Sequence, residues 1–87
     1  MRTLSIVIPA YNEKNTIREI IARVEKADMG MRKEIVIVDD GSTDGTREIL
    51  ASLPKEKYII LYQEKNKGKG AALRRGFREA TGDFIII

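Results

Sequence analysis

Two adjacent carboxylates, Asp39 and Asp40, stand at the end of the apolar run Ile35-Val-Ile-Val38 and are followed at once by Gly41-Ser-Thr-Asp-Gly-Thr46. Neighbouring side chains on a strand point to opposite faces, so one of the two acids should face a pocket while the other serves the turn. Asp44 needs no such role, because an Asx turn or a cap on the next helix accounts for it. A second apolar run, Leu4-Ser-Ile-Val-Ile-Pro9, delivers Ala10, Tyr11, Asn12 and Glu13 to the same kind of edge. The Tyr11 ring offers a flat face on which a nucleobase stacks for about 1 to 3 kcal/mol, the alternative being a tyrosine packed beside a turn. Glu13 either bonds ribose hydroxyls or favours the positive end of the following helix. Pro9 reads as structural, stopping the strand and shaping the pocket wall. A third segment, Lys65-Asn-Lys-Gly-Lys-Gly70, sets three lysines and two glycines before a helix, where close backbone approach and free amides suit an anion. It is not a Walker loop, which needs Lys-Ser or Lys-Thr, and it lacks the third glycine of a dinucleotide fingerprint; a solvated loop is the competing reading. Arg74 and Arg75 read as surface charges, with Arg75 a secondary candidate for the anion.

Composition narrows the chemistry. With no cysteine and no histidine among 87 residues, disulfides, thiol and imidazole catalysis and zinc sites built on those ligands are excluded. Carboxylate, lysine, hydroxyl and backbone amide remain. Net charge is +3, from 16 basic and 13 acidic residues that read as interspersed, with no aromatic residue interrupting a basic run; nucleic acid is therefore not an expected partner. The apolar runs are far shorter than the roughly 20 residues of a membrane span, and the chain reads as soluble and cytoplasmic.

Periodicity orders the elements that must carry these groups. Short β-branched runs at 4–9, 34–39, 58–63 and 83–87 predict strands. Ile17, Ile20, Ile21 and Val24 share one face of a helix over 16–27, opened by the capping-box spacing of Thr16 and Glu19. A short helix over 46–53 stops before Pro54. A third, over 68–80, has Ala72, Leu73, Gly76, Phe77 and Ala80 on its inner face and ends at Gly82. This β-α-β-α-β-α-β order implies right-handed crossovers and a three-layer α/β/α, Rossmann-like parallel sheet forming a single domain. The last strand stops in mid-run after three isoleucines. The expectation is that the domain is incomplete or that a partner covers the strand, giving a homodimer or higher oligomer.

Ser5-Ile-Val-Ile-Pro-Ala-Tyr-Asn-Glu13, Val38-Asp-Asp-Gly-Ser-Thr-Asp-Gly-Thr46, Asn66-Lys-Gly-Lys-Gly-Ala-Ala-Leu-Arg-Arg-Gly-Phe77 and Ala80-Thr-Gly-Asp83 together resemble the opening segments of family 2 glycosyltransferases, and within them the dolichol- and polyprenyl-phosphate sugar synthases. The resemblance covers essentially the whole chain. It implies the N-terminal half of a GT-A fold, a nucleotide-sugar donor of the UDP-glucose or GDP-mannose type, and Mg²⁺ or Mn²⁺ on the donor diphosphate. An acceptor such as polyprenyl phosphate is implied for the full-length family. It further implies that Asp40 reads the base through an N–H donor while Asp39 supports the loop. Pro9 and Ala10 then meet the nucleoside through the backbone beside Tyr11 and Glu13, and Lys69, next to Gly68, faces the diphosphate. The family's Asp-x-Asp metal motif would follow the fourth strand and is not in this sequence, so no metal ligand is assigned and the 87 residues alone are expected to transfer no sugar. A non-catalytic nucleotide-binding or assembly module is the alternative. A response-regulator receiver, raised by Val-Asp-Asp after a strand, fails because Tyr58-Ile-Ile-Leu-Tyr-Gln63 ends without the aspartate that a receiver phosphorylates.

Overall fold

A computed structural model describes residues 2–28 and 30–87. Its elements follow the expected order: β1 (Thr3–Ala10), α1 (Ile17–Lys26), β2 (Arg32–Asp40), α2 (Thr46–Ala51), β3 (Tyr58–Gln63), α3 (Lys69–Glu79) and β4 (Phe84–Ile86). All strand pairs are parallel, in the order β3-β2-β1-β4. The first two crossovers step one way along the sheet and the third returns to the other side of β1. A right-handed crossover that reverses direction must change faces, which puts α3 opposite α1 and α2.

Alternation along the strands supplies both faces. Leu4, Ile6, Ile8, Ala10, Ile35 and Ile37 pack with Ile17 and Ile21 of α1 and Leu50 of α2. Val7, Val36 and Val38 face Ala72 of α3, with Ile59, Leu61, Leu73 and Ala80 around them. Fully burying one such aliphatic side chain is worth about 1.5 to 3 kcal/mol, so the more populous first face carries more of the stability. On the second face closeness replaces bulk: a Cβ at Gly76 would overlap the Val7 side chain, so the helix lies directly on the strand.

Several local expectations change. Pro9 does not stop β1, whose ladder continues through Pro9 opposite Val38 to Ala10 opposite Asp39. Thr16 is the N-cap of α1 but bonds no helix amide; its hydroxyl donates to the Glu13 carboxylate at 2.7 Å, and Glu19 pairs with Arg23 instead. The Thr16 amide, which Glu19 would accept in a capping box, already donates to the Glu13 carbonyl at 3.0 Å, so there is no capping box. Phe77 is not on the inner face of α3; it is 39% exposed, because Ala72 and Gly76 set the buried line and Phe77, one residue beyond Gly76, falls about 100° round the helix from it.

The bottom of the sheet is fastened by polar contacts. The Glu34 carboxylate accepts from the Ser5 hydroxyl (2.7 Å), the Thr81 amide (2.8 Å) and the Thr81 hydroxyl, and the Ser5 oxygen accepts from the Gly82 amide at 2.8 Å. Asp83 accepts the Thr3 amide and returns its own amide to the Thr3 carbonyl, both at 2.8 Å. These bonds fix the Ala80–Asp83 turn and so the register of β4 on β1, Leu4 opposite Phe84. β4 itself exposes Phe84, Ile85 and Ile86.

Candidate functional site

At the carboxyl edge of the sheet the two aspartates part as strand geometry requires. Asp39 turns toward the α1/α2 face and is fully buried; its Oδ2 accepts the Ser42 amide at 3.1 Å and lies 3.6 Å from Arg47 Nε. Asp40 turns toward α3, and its two oxygens accept the amides of Lys67 and Gly68, each at 2.9 Å. Asp40 therefore organises the loop that opens α3 as well as presenting charge beside it. Gly41 makes the close approach of these loops possible. At φ +77° it takes a conformation that L side chains rarely adopt, and a Cβ there would run into the backbone of Lys65 and Asn66.

The loop after β1 is held by the loop after β2. Three consecutive amides, of Asn12, Glu13 and Lys14, donate to Ser42 Oγ (2.9 Å), Thr46 Oγ1 (2.9 Å) and an Asp44 carboxylate oxygen (3.2 Å). Asn12 returns one bond, its Oδ1 accepting the Thr43 amide at 2.8 Å, and sits at φ +52°, which asparagine tolerates better than most residues. Asp44 also accepts the Thr46 amide and hydroxyl, so the acid turns the chain into α2 as expected for an Asx turn. The Thr46 hydroxyl, more than opposing burial, and then the amides of Thr46 and Lys14 hold the Asp44 carboxyl below its ordinary value.

This seam presents Tyr11 and Glu13 to a cavity of about 320 Å³ lined by Pro9, Ala10, Tyr11, Glu13, Asp40, Asn66, Gly68, Lys69 and Ala72. That volume lies at the lower end for small-molecule sites. A cleft of about 440 Å³ beside Arg47 and Tyr62 is larger, but it sits on the flank of α2 and gathers none of the groups at the strand ends. The cavity brings together seven of the residues singled out in the sequence, Pro9, Ala10, Tyr11, Glu13, Asp40, Gly68 and Lys69, from three segments far apart in the chain. Tyr11 is 44% exposed, its ring free to meet a ligand.

Two secondary candidates lie elsewhere. Asp39 is behind the sheet, in the loop role expected of it. Arg75 does not reach the cavity: its guanidinium donates to the Tyr62 carbonyl and, at 2.9 Å, to Gln63 Oε1, closing the end of β3. A free strand-end carbonyl next to an arginine on the packed helix satisfies both. Asn66 and Ala72 line the cavity without having been singled out, and Asn12, Ser42 and Thr46 act one step back from it. Hydroxyl and amide side chains in a turn are the signal for such support; their partners in another loop are invisible in sequence. Among the described residues no cluster of three or more acidic side chains gathers. Glu13 and Asp40 are the two carboxylates that line the cavity, the latter already accepting two amides.

Comparison with known proteins fits this arrangement. The family model described as glycosyl transferase family 2 matches residues 5–87. A dolichol-phosphate mannosyltransferase of Pyrococcus furiosus is 38% identical over 85 residues, covering 97% of this chain and 24% of the relative. An undecaprenyl-phosphate 4-deoxy-4-formamido-L-arabinose transferase of Edwardsiella ictaluri is 39% identical over 88 residues, covering 95% and 27%. Among solved structures, a mannosyltransferase from Pyrobaculum calidifontis in complex with GDP-Man and Mn²⁺ superposes with TM-score 0.79 at 29% identity, over 97% of this chain and 26% of that one. TarS 1–349 of S. aureus in complex with UDP gives 0.81 at 30%, over 99% and 26%. The chain thus spans about a quarter of the length of the relatives it matches. Its parallel sheet and helices are those of the GT-A glycosyltransferases, and the chain belongs to glycosyl transferase family 2.

Proposed function

We propose that these residues form the donor-binding part of a glycosyltransferase that takes a nucleoside-diphosphate sugar and passes the sugar to an acceptor such as polyprenyl phosphate. The observation that carries this reading is the single cavity in which Tyr11, Glu13, Asp40 and Lys69 converge. In it the base stacks on Tyr11 and gives an N–H to the Asp40 carboxylate, whose oxygens keep lone pairs beyond the two amides they accept. Glu13 faces the ribose, and Lys69 with the start of α3 faces the diphosphate. A ring N–H on the pairing edge, present in uracil and guanine, matches the carboxylate, whereas adenine and cytosine turn a ring-nitrogen lone pair toward it there, which favours uracil or guanine. A cation on the diphosphate, Mg²⁺ or Mn²⁺, belongs to the reading; the Mn²⁺ in the Pyrobaculum calidifontis complex supports it.

Titration of the chain with UDP, GDP and ADP, followed by amide shifts, tests the reading. Shifts at residues 9–13, 40 and 66–69 are expected with UDP or GDP, with affinity at least about tenfold weaker for Asp40→Ala. Shifts elsewhere, or equal binding of ADP, overturn it.

The exposed β4 favours a second element of the proposal, assembly of two copies through that strand. Light scattering should give a dimer or larger species that Ile86→Lys dissociates; a monomeric parent rules assembly out.

A further inference from the structure

We infer that the outward face of α3, with the loop before it, is a docking surface for an anionic lipid bilayer. The charge that looks interspersed over the chain is not. Lys65 to Arg78 hold six of the sixteen basic residues and none of the thirteen acidic ones, so the rest of the chain is net negative by three. Five of the six, Lys65, Lys67, Lys69, Arg74 and Arg78, are exposed, whereas Arg75 is spent on the end of β3. The ion pairs among the described residues, Arg23 with Glu19 and Arg47 with Asp39, involve none of the five.

The displaced aromatic gives this charge a direction. Because Ala72 and Gly76 are the buried positions of α3, Arg74, Phe77 and Arg78 share the outward side at helical spacing. Contrary to the expectation that no aromatic interrupts a basic run, Phe77 stands exposed between two arginines. A large apolar ring flanked by cations on a convex helix fits a headgroup layer, with the ring entering the acyl boundary and the guanidinium groups remaining at phosphate level. Single-stranded nucleic acid needs a groove with stacked rings, and here there is one ring and no groove. Clusters of four to eight basic residues on such a helix contribute a several-fold gain per residue at an anionic surface. Lys69, in line with Ala72 and Gly76 along α3, faces the rim of the cavity instead. The inference stands on charge and exposure and does not require the donor-binding reading.

Co-sedimentation of the chain with phosphatidylcholine vesicles, with and without phosphatidylglycerol, tests it. Binding is expected only with the anionic lipid and is lost as salt is raised. Arg74→Glu with Arg78→Glu should weaken it at least about thirtyfold, and Phe77→Ser should weaken it while leaving the salt dependence in place; circular dichroism of each variant checks that α3 is intact. Equal sedimentation with neutral vesicles, no sedimentation with either, or unchanged binding by the double variant overturns the inference. So does tighter binding of a single-stranded oligonucleotide than of anionic vesicles at the same salt. If the double variant fails to fold, the parent's lipid and salt dependence and the Phe77 variant decide the matter.

Discussion

The two sides of the sheet's carboxyl edge are built from the same chain segments and put to opposite uses. On the α1/α2 side, Asn12, Ser42, Asp44 and Thr46 bond the backbone of the neighbouring loop, and Asp39 is sealed behind them. On the α3 side, Asp40 holds two amides, but Tyr11, Glu13 and Lys69 still line open space. The contrast originates in topology: the returning crossover leaves α3 alone on its face, where a Gly–Val contact holds it close lower down and its N-terminus stands over the strand ends. One side is scaffold so that the other can be a site. A ligand pocket needs side chains held to fractions of an ångström, and such positioning comes from polar groups satisfied one layer back.

Gly41 lies where the two sides meet, so replacing it should do the most damage to both. In Gly41→Ala the new methyl meets the Lys65–Asn66 backbone at a φ that L residues disfavour. We expect a loss of about 2 to 4 kcal/mol by chemical or thermal unfolding, the sum of overpacking and left-handed strain. A melting temperature within a degree or two of the parent would show that the loops are not pressed together.

Thr46→Val should come next, and it acts on the scaffold side alone. The substitution keeps the buried volume, strands the Glu13 amide and removes the hydroxyl bond to Asp44, a cost of about 1 to 3 kcal/mol. Thr46→Ser should recover most of it, and amide exchange at Glu13 should rise in the valine variant only. Equal exchange in both would deny the hydroxyl its role in holding the cavity wall.

Asparagine at the two aspartates sharpens the contrast further. Asp40 uses both oxygens on amides, so in Asp40→Asn one amide must confront an NH₂ group whichever way the side chain turns; about 1 to 2 kcal/mol is the expected cost. Asp39 uses only Oδ2 for an amide, and Oδ1 has no partner among the described residues. Asp39→Asn can keep its oxygen toward Ser42; it forfeits the attraction of Arg47 but also removes a buried charge, and Arg47 is left reachable by water, so a net cost under about 1 kcal/mol is expected. Denaturant midpoints of the two variants give the comparison directly, and the reverse order would mean that the buried charge of Asp39 matters more than its hydrogen bond.

Much of this edge is legible in the sequence because its logic is local. Apolar runs of the right length give four strands, β3 to the residue, and alternation alone separates Asp39 from Asp40. What the sequence conceals is contact between distant loops. That Ser42 serves the amide of Asn12, or that Asp40 serves Gly68, depends on strands β1 and β2 lying side by side in a definite register. Phe77 misleads for a related reason: hydrophobicity assigns it inward, while the close fit of Gly76 on Val7 decides which side of α3 touches the sheet. Thr16 misleads because its hydroxyl and its amide both turn back to Glu13, leaving nothing for Glu19 to cap.

The smallest effect should come from acid, and it separates the scaffold side of this edge from the bottom of the sheet. Asp44 is held below its ordinary value of 3.8 by the Thr46 hydroxyl first and the two amides after it. Glu34 is held below 4.5 although burial pushes it up, because the amide and hydroxyl of Thr81 and the hydroxyl of Ser5 together outweigh that push. A carboxyl depressed in the folded state stabilises it fully above the unfolded value and loses that contribution as pH falls through the folded one. Stability should therefore be flat in these two groups near neutrality and decline from about pH 4.5 downward, with protection at the Thr81 amide falling as Glu34 is protonated and protection at the Lys14 amide falling as Asp44 is. Glu34→Gln and Asp44→Asn should each flatten part of the decline and remove the pH dependence of protection at the amide that its own carboxylate held. If protection at Lys14 falls with pH as steeply in Asp44→Asn as in the parent, the carboxylate of Asp44 is not what keeps the scaffold side closed.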